Sequence, residues 1–170
     1  MQQQVNPQEI EIREMELEDL PKVYALGEAV FTADKWPSLY RTWDEYEPVT
    51  LFTSDGEFCF VAVRDGKLVG FALGSLIDKR KSAWSYGYLT WLAVDPKLAR
   101  GGIATQLVEA ITEAYIRAGA RMMIVDTDAE NEQAIGFFRR HDFRNEDRHV
   151  YLSKNLTSHP DYRRLRRQRS

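Results

Sequence analysis

Cysteine is almost absent: Cys59 stands alone among 170 residues, which excludes an internal disulfide and any cysteine-based metal cluster. It sits in the apolar run 58–63 and reads as a buried structural thiol rather than a nucleophile. Long hydrophobic runs are missing too. Nothing approaches the about 18 consecutive apolar residues of a membrane span, and the polar opening Met1-Gln-Gln-Gln is unlike a secretory signal. A cytoplasmic protein without a membrane partner is expected. Strong charge of one sign is a third absence, since the net charge is only −3. Its distribution is uneven: the last ten residues hold five arginines against Asp161, so the rest of the chain carries about −7. An acidic body suits a cationic amine better than a nucleic acid. With 44% hydrophobic residues and no internal repeat, one domain with a real core is expected.

The elements follow from pattern. Residues 10–15 alternate and read as a first strand. Pro21, in the first turn of a segment with Leu20, Val23, Tyr24, Gly27, Val30 and Phe31 at helical spacing, predicts a first helix. From Ser38 a second helical pattern uses Leu39, Trp43 and Tyr46 until Pro48 breaks or kinks it. Two β-rich runs, 57–64 and 67–76, flank Asp65-Gly66 and predict a hairpin. Lys79-Arg80-Lys81 forms a basic loop. Residues 84–94 are a strand, and a helix follows from Gly102 to about Ala118. The continuous apolar run 121–127 predicts a strand buried on both faces. A short helix over 131–141 stops at Asp142, which must take the left-handed conformation. Residues 149–153 close the sheet.

The segment 88–108 organises the rest. An apolar strand breaks at Asp95-Pro96, passes through Arg100-Gly101-Gly102, and becomes a helix carrying Ile103, Leu107, Val108 and Ile111 on one side. Such a turn presents unpartnered helix amides and the positive end of the dipole, a natural seat for phosphate. Gly101, Gly102 and the small Ala104 let a ligand approach the backbone, and Arg100 adds a charged fork. The G-x-x-x-x-G-K-[ST] and G-x-G-x-x-G phosphate loops are both absent here.

This strand, turn and helix resemble the acyl-CoA-binding segment of the GNAT superfamily of N-acetyltransferases, L-x-V-x-P followed by [QR]-x-x-G-x-[GA]. Leu92-Ala93-Val94-Asp95-Pro96 matches the first part and Gly102-Ile103-Ala104 the end of the second, while Ala99 stands where the family has Gln or Arg. Downstream, Asn131, Ala134, Ile135, Phe138 and Phe143 fall on the family's N-x-x-A-[IV]-x-[LF]-[YF]-x-[KR]-x-G-F segment. The closest motif match is to the ribosomal-protein alanine acetyltransferases of that superfamily.

The resemblance implies an α+β fold of mixed α/β character. Its centre is a twisted, mixed, mostly antiparallel sheet of six to seven strands, with about four helices on both faces. It also implies acetyl-CoA as co-substrate, held by Leu92, Ala93 and Val94 along the pantetheine, by Arg100, Gly101, Gly102, Ile103, Ala104 and Thr105 at the diphosphate, and by Asn131 and Phe138. The alanine acetyltransferases carry a glutamate five residues before the matching asparagine, and counting back from Asn131 gives Asp126 as the general base. Many members carry a general-acid tyrosine where this chain has Phe138, which cannot donate a proton. Tyr88 is the substitute of choice, on the same strand face as Leu92 and Val94 unless a bulge intervenes. Asp126, Asp128 and Glu130 have the outline of a calcium loop, but its sixth position is Asn131 and its twelfth Phe137, so no metal is expected.

The expected function is therefore acetyl transfer from acetyl-CoA to a primary amine by direct attack in a ternary complex. Trp36, Tyr40, Trp43 and Tyr46 line the acceptor side. The acceptor itself, a small-molecule amine or a protein amino group, is left open. The alternative is a non-catalytic acyl-CoA-binding or interaction module. Residues 1–157 form the single domain and 158–170 an Arg-rich tail, either a polar solubilising end or a short helix that docks on a partner or a polyanion. A homodimer through an exchanged terminal strand or tail is also open.

Overall fold

The computed structural model describes residues 9–32, 42–78 and 84–168. In chain order the elements are β1 (Glu11–Glu14), α1 (Leu20–Val30), α2 (Tyr46–Asp55), β2 (Cys59–Arg64), β3 (Lys67–Asp78), β4 (Ser85–Val94), α3 (Ile103–Arg117), β5 (Met122–Val125), α4 (Glu132–Arg140) and α5 (Pro160–Arg167). The strands form one sheet in sequence order, antiparallel from β1 to β4, with β5 parallel to β4. A parallel neighbour requires a crossover, and α3 supplies it. Asp65 and Gly66 both take positive φ at the β2–β3 turn, the geometry that matches the twist of a tight hairpin.

The pleat divides the core. Phe60, Ala62, Ala72 and Leu89 face α3, where they meet Ile103, Leu107, Ile111 and Tyr115. Cys59, Val61, Phe71, Leu73, Trp91 and Ala93 face the other way, against Val23 of α1, Phe31, Trp43 and residues of α2. Trp43 stacks on Phe71 with ring centroids 5.4 Å apart, and its Nε1 donates to the Tyr24 carbonyl at 3.1 Å. Burial pushes the Cys59 thiol up to about 12, which leaves it inert at neutral pH.

Three expectations need correction. The second helix begins at Tyr46, and Pro48 is buried in its first turn instead of breaking it. A proline there costs nothing, because the amide it lacks precedes the helical bonds. The amides of Tyr46 and Glu47 donate to the Asp44 carboxylate at 2.9 and 3.1 Å. The strand expected over 121–127 is the four-residue β5, with Met122 and Ile124 exposed, because only β4 flanks it among the described residues. Residues 149–153 do not join the sheet, which among the described residues has five strands and not six to seven. The hairpin, the other helices and the left-handed Asp142 are as the sequence predicts. Lys79-Arg80-Lys81, Trp36 and Tyr40 lie outside the described residues.

Asp19 is the one buried charged residue among those described. Its carboxylate accepts from Arg13 at 2.6 and 3.0 Å and from the Glu16 amide at 2.9 Å, tying β1 to the start of α1. Burial alone would raise its pKa, but these hydrogen bonds outweigh it and hold Asp19 below the usual carboxylate range. The resulting stabilisation is complete above the unfolded value of about 4 and is lost as pH falls through the lower folded value. Asp19→Asn is expected to flatten the loss of stability in urea titrations below pH about 4.

A Cβ on Gly87 would lie 2.3–2.6 Å from the Tyr115 ring, which is 2% exposed. Gly87→Ala should cost about 1–3 kcal/mol in urea unfolding. Gly136→Ala, whose nearest neighbour is the tip of Arg140 at 3.6 Å, should instead gain about 0.5–1 kcal/mol of helix stability.

Candidate active site

The site begins where β4 loses its parallel neighbour. Their ladder runs for four pairs, from Tyr86–Met122 to Leu89–Val125. β4 then continues to Val94, whereas the chain after Val125 leaves the sheet. A cleft opens between them, with Thr90 and Asp126 at its apex.

A bulge coincides with that apex. Leu73 pairs with Trp91 and Gly74 with Leu89, so Thr90 is an extra residue in β4. Before it, Gly87 and Leu89 face α3, and Tyr88 faces the opposite side; after it, Trp91 and Ala93 take that opposite side, and Leu92 and Val94 face α3. The expectation that Tyr88 shares a face with Leu92 and Val94 is thereby corrected. One inserted residue reverses the alternation, and Tyr88 shares the α1/α2 face with Trp91 and Ala93.

Tyr88 is secured at both ends. Its Oη donates to Asp126 Oδ1 at 2.6 Å, and its carbonyl accepts from Tyr115 Oη at 2.9 Å. Gly74 makes room for the second contact, since a Cβ there would stand 2.0 Å from Tyr115 Oη. The two residues singled out for proton transfer thus meet, although 38 positions separate them. Asp126 is positioned in turn by the loop that follows. Asn131 Nδ2 donates to Thr127 Oγ1 at 3.1 Å, and Asn131 Oδ1 accepts the Ala134 amide at 3.1 Å as the N-cap of α4. Both polar ends of Asn131 are therefore engaged within the chain.

Beyond the cleft, the Asp95 carboxylate accepts the Lys97 amide, a 3₁₀ turn covers Pro96–Leu98, and Gly101 N–H donates to the Leu98 carbonyl at 2.9 Å. Gly102 sits at φ +74°, where a side chain is strained, and no side chain caps α3 behind it. The first helical bond runs from Gln106 to Gly102, so the amides of Ile103, Ala104 and Thr105 precede it. They lie at the positive end of the helix dipole, with the exposed Arg100 two residues before the N-cap Gly102.

Phe138 is placed differently from the other singled-out residues. It is 8% exposed and packs edge-on between Phe137 and Phe143, so its ring serves the core and offers a ligand little surface. Two features escaped the sequence reading. His141 bridges α4 to the first turn of α3, with Nε2 3.1 Å from Thr105 Oγ1 and Nδ1 2.9 Å from the Phe137 carbonyl. Trp91 Nε1 donates to Glu47 Oε2 at 2.7 Å, holding a carboxylate on the α1/α2 face. Neither pair has a sequence signal, because each joins residues 36 or more positions apart.

Residues 28–143 match the family described as "Acetyltransferase (GNAT) family". The chain belongs to the GNAT acetyltransferase family. The match contains β4, the glycine turn, α3, β5 and α4, and so both motif segments. N-alpha-acetyltransferase 30 of Homo sapiens is 29% identical over 110 residues, covering 60% of this chain and 30% of that protein. N-alpha-acetyltransferase MAK3 of Arabidopsis thaliana is 28% identical over 115 residues, covering 63% and 60%. The chain thus spans about a third to three fifths of the length of these curated relatives. Among solved structures, an aminoglycoside acetyltransferase, meta-AAC0020, from an uncultured soil metagenomic sample has a TM-score of 0.68 at 26% identity, covering 86% of this chain and 96% of that one. The aminoglycoside N-acetyltransferase AAC(6')-Iy in complex with CoA shares the fold, with a TM-score of 0.65 at 23% identity over 86% and 95%.

The α3 N-terminus behind a left-handed glycine leaves backbone N–H groups that no side chain caps. Among the described residues, no group of His, Cys, Asp or Glu is gathered to hold a metal ion, and no helix is long and apolar enough to cross a membrane.

Asn131→Ala removes the α4 cap and the Thr127 tether together. It should cost about 1 kcal/mol, read from the midpoint of urea unfolding.

Proposed function

We propose that this chain is a cytoplasmic, acetyl-CoA-dependent N-acetyltransferase whose acceptor is the α-amino group of a polypeptide, attacked directly in a ternary complex. The single observation that carries this reading is the Tyr88–Asp126 hydrogen bond at the apex of the β4–β5 cleft. The curated relatives, named as N-alpha-acetyltransferases, support the choice of acceptor.

Acetyl-CoA supplies the activated acetyl thioester. Leu92, Ala93 and Val94 line the pantetheine arm, while Arg100 and the turn from Gly101 to Thr105 hold the diphosphate. Asn131 contributes by fixing the loop that carries Asp126, and Phe138 by backing α4 from the core. An ammonium acceptor first gives one proton to solvent and becomes the neutral nucleophile; on acylation its nitrogen loses a second proton, and the departing thiolate gains one. Asp126 takes that second proton from the nitrogen through a water. Tyr88 protonates the thiolate and is reprotonated by Asp126 across their 2.6 Å contact, which restores both groups. Because the two residues already touch, the proton need not pass through bulk solvent.

The acceptor enters on the α1/α2 face, which Tyr88 shares with Trp91 and the carboxylate of Glu47. A carboxylate held by an indole N–H attracts a cationic amine, in keeping with the acidic body of the chain. Trp43 is spent on packing there, whereas Tyr46 is 68% exposed and available to line the approach. A non-catalytic acyl-CoA-binding module would bind the same cofactor without using the Tyr88–Asp126 pair. The tail helix α5, exposed along its length, belongs to neither reading.

Turnover with acetyl-CoA and a panel of short peptides, alongside aminoglycosides, tests the proposal. Tyr88→Phe and Asp126→Asn are each expected to lower kcat by about 10²-fold or more, with acetyl-CoA affinity by calorimetry nearly unchanged. Wild-type turnover in both variants would remove these assignments. Binding of acetyl-CoA without product from any amine would establish the module.

A further inference from the structure

The Arg-rich tail is built as a helix, with local chemistry spent on starting it. His159 caps α5: its Nδ1 accepts the Asp161 amide at 3.2 Å, its carbonyl accepts the Tyr162 amide at 3.1 Å, and Pro160 takes the first helical position. Just before the cap, the Asn155 side chain accepts the Thr157 amide at 2.9 Å, and the His159 amide donates to the Leu156 carbonyl at 3.0 Å. An end that only kept the chain in solution would need neither the turn nor the cap.

α5 has two unlike sides. Arg163, Arg164 and Arg167 border one shallow groove with Pro160 and Gln168, as residues three and four apart on a helix must. Tyr162 borders a separate hollow with Lys154, Leu156 and His159, and so turns toward the segment that leads into the helix. All residues of α5 are exposed. Like charges at these spacings oppose the helix that carries them. Asp161 answers Arg164 at 2.8 Å, but it is a single carboxylate against five arginines in the last ten residues.

We propose that the face of α5 carrying Arg163, Arg164 and Arg167 docks on the sugar–phosphate backbone of a nucleic acid, without reading its sequence. The positive charge of the last ten residues is all arginine, with no lysine among them, and a guanidinium fork grips phosphate oxygens in pairs. Neighbours on this face stand about 5–6 Å apart at their Cβ atoms, close enough to follow one strand of phosphates. The rest of the chain, at about −7, repels a polyanion, so the contact is confined to the tail and the cleft stays open to its amine. A lipid surface would require an apolar face that enters it; opposite its arginines α5 offers Tyr162 and Leu165, and Tyr162 faces the preceding segment. The docking does not depend on which amine is acetylated.

Fluorescence anisotropy of the full chain with a labelled single-stranded RNA of about 20 nucleotides tests the proposal, beside anionic phospholipid vesicles and a polyglutamate peptide. Three phosphate contacts predict a slope near about −2 for log affinity against log salt, so that going from about 50 to about 200 mM weakens binding about twentyfold. The triple variant Arg163→Ala, Arg164→Ala, Arg167→Ala is expected to bind at least about tenfold more weakly with a flatter salt dependence, and to keep calorimetric acetyl-CoA binding. Alanine favours the helix, so the loss reports charge and not unfolding of α5, and the salt series on wild type needs no variant. Four results would each overturn the docking: no RNA binding at about 50 mM salt, affinity indifferent to salt, a triple variant that binds like wild type, or tighter binding to vesicles or polyglutamate than to RNA.

Discussion

β4 cannot keep its parallel partner. It holds β5 for four residue pairs and then runs on alone, with one surplus residue, Thr90, at the point of parting. Everything that serves the proposed chemistry is arranged around that parting. The bulge turns Trp91 and Ala93 onto the face already occupied by Tyr88, so a tyrosine and an indole that simple alternation would separate come to one side. The diverging loop carries Asp126 back to the Tyr88 hydroxyl. Beyond, β4 delivers the chain through Asp95 and the glycine turn into α3.

The apex is braced from the core side. Tyr115 is 2% exposed, stacks on Phe58 at 4.8 Å and spends its hydroxyl proton on the Tyr88 carbonyl. Burial pushes its own ionisation well above the usual range for tyrosine, so it stays a neutral donor at any working pH. Gly74 and Gly87 exist as glycines because that ring lies against them. A buried, permanently neutral brace holds the carbonyl and leaves the Tyr88 hydroxyl to meet Asp126. The two tyrosines thus differ in surroundings, one hydroxyl closed in the core and the other bonded to a carboxylate.

Much of this was legible in the sequence, for physical reasons that also mark where legibility ends. The hairpin, α1, α3 and the α4 stop are local: Asp65-Gly66, Pro21, Gly102 and Asp142 fix backbone angles by their own chemistry. The Tyr88–Asp126 pair was reached from a motif count and a strand parity, and the parity itself was wrong. An added residue in a strand leaves no mark on composition, and Thr90 is as ordinary a strand residue as its neighbours. The His141–Thr105 and Trp91–Glu47 contacts depend on how whole elements pack, and no periodicity carries that information. Pro48 misled because a proline's effect depends on whether it falls in the first turn or later, and the start of α2 is set by Asp44 and not by the apolar pattern.

The same distinction accounts for residues 121–127 and 149–153. A run of apolar residues states that a strand expects neighbours on both faces and both edges; it does not state which chain supplies them. Among the described residues β5 has apolar side chains on both faces and one strand beside it, which is why Met122 and Ile124 stay exposed. Asp126 directly follows β5, so the short ladder that limits this strand also fixes where the chain departs toward the Tyr88 hydroxyl.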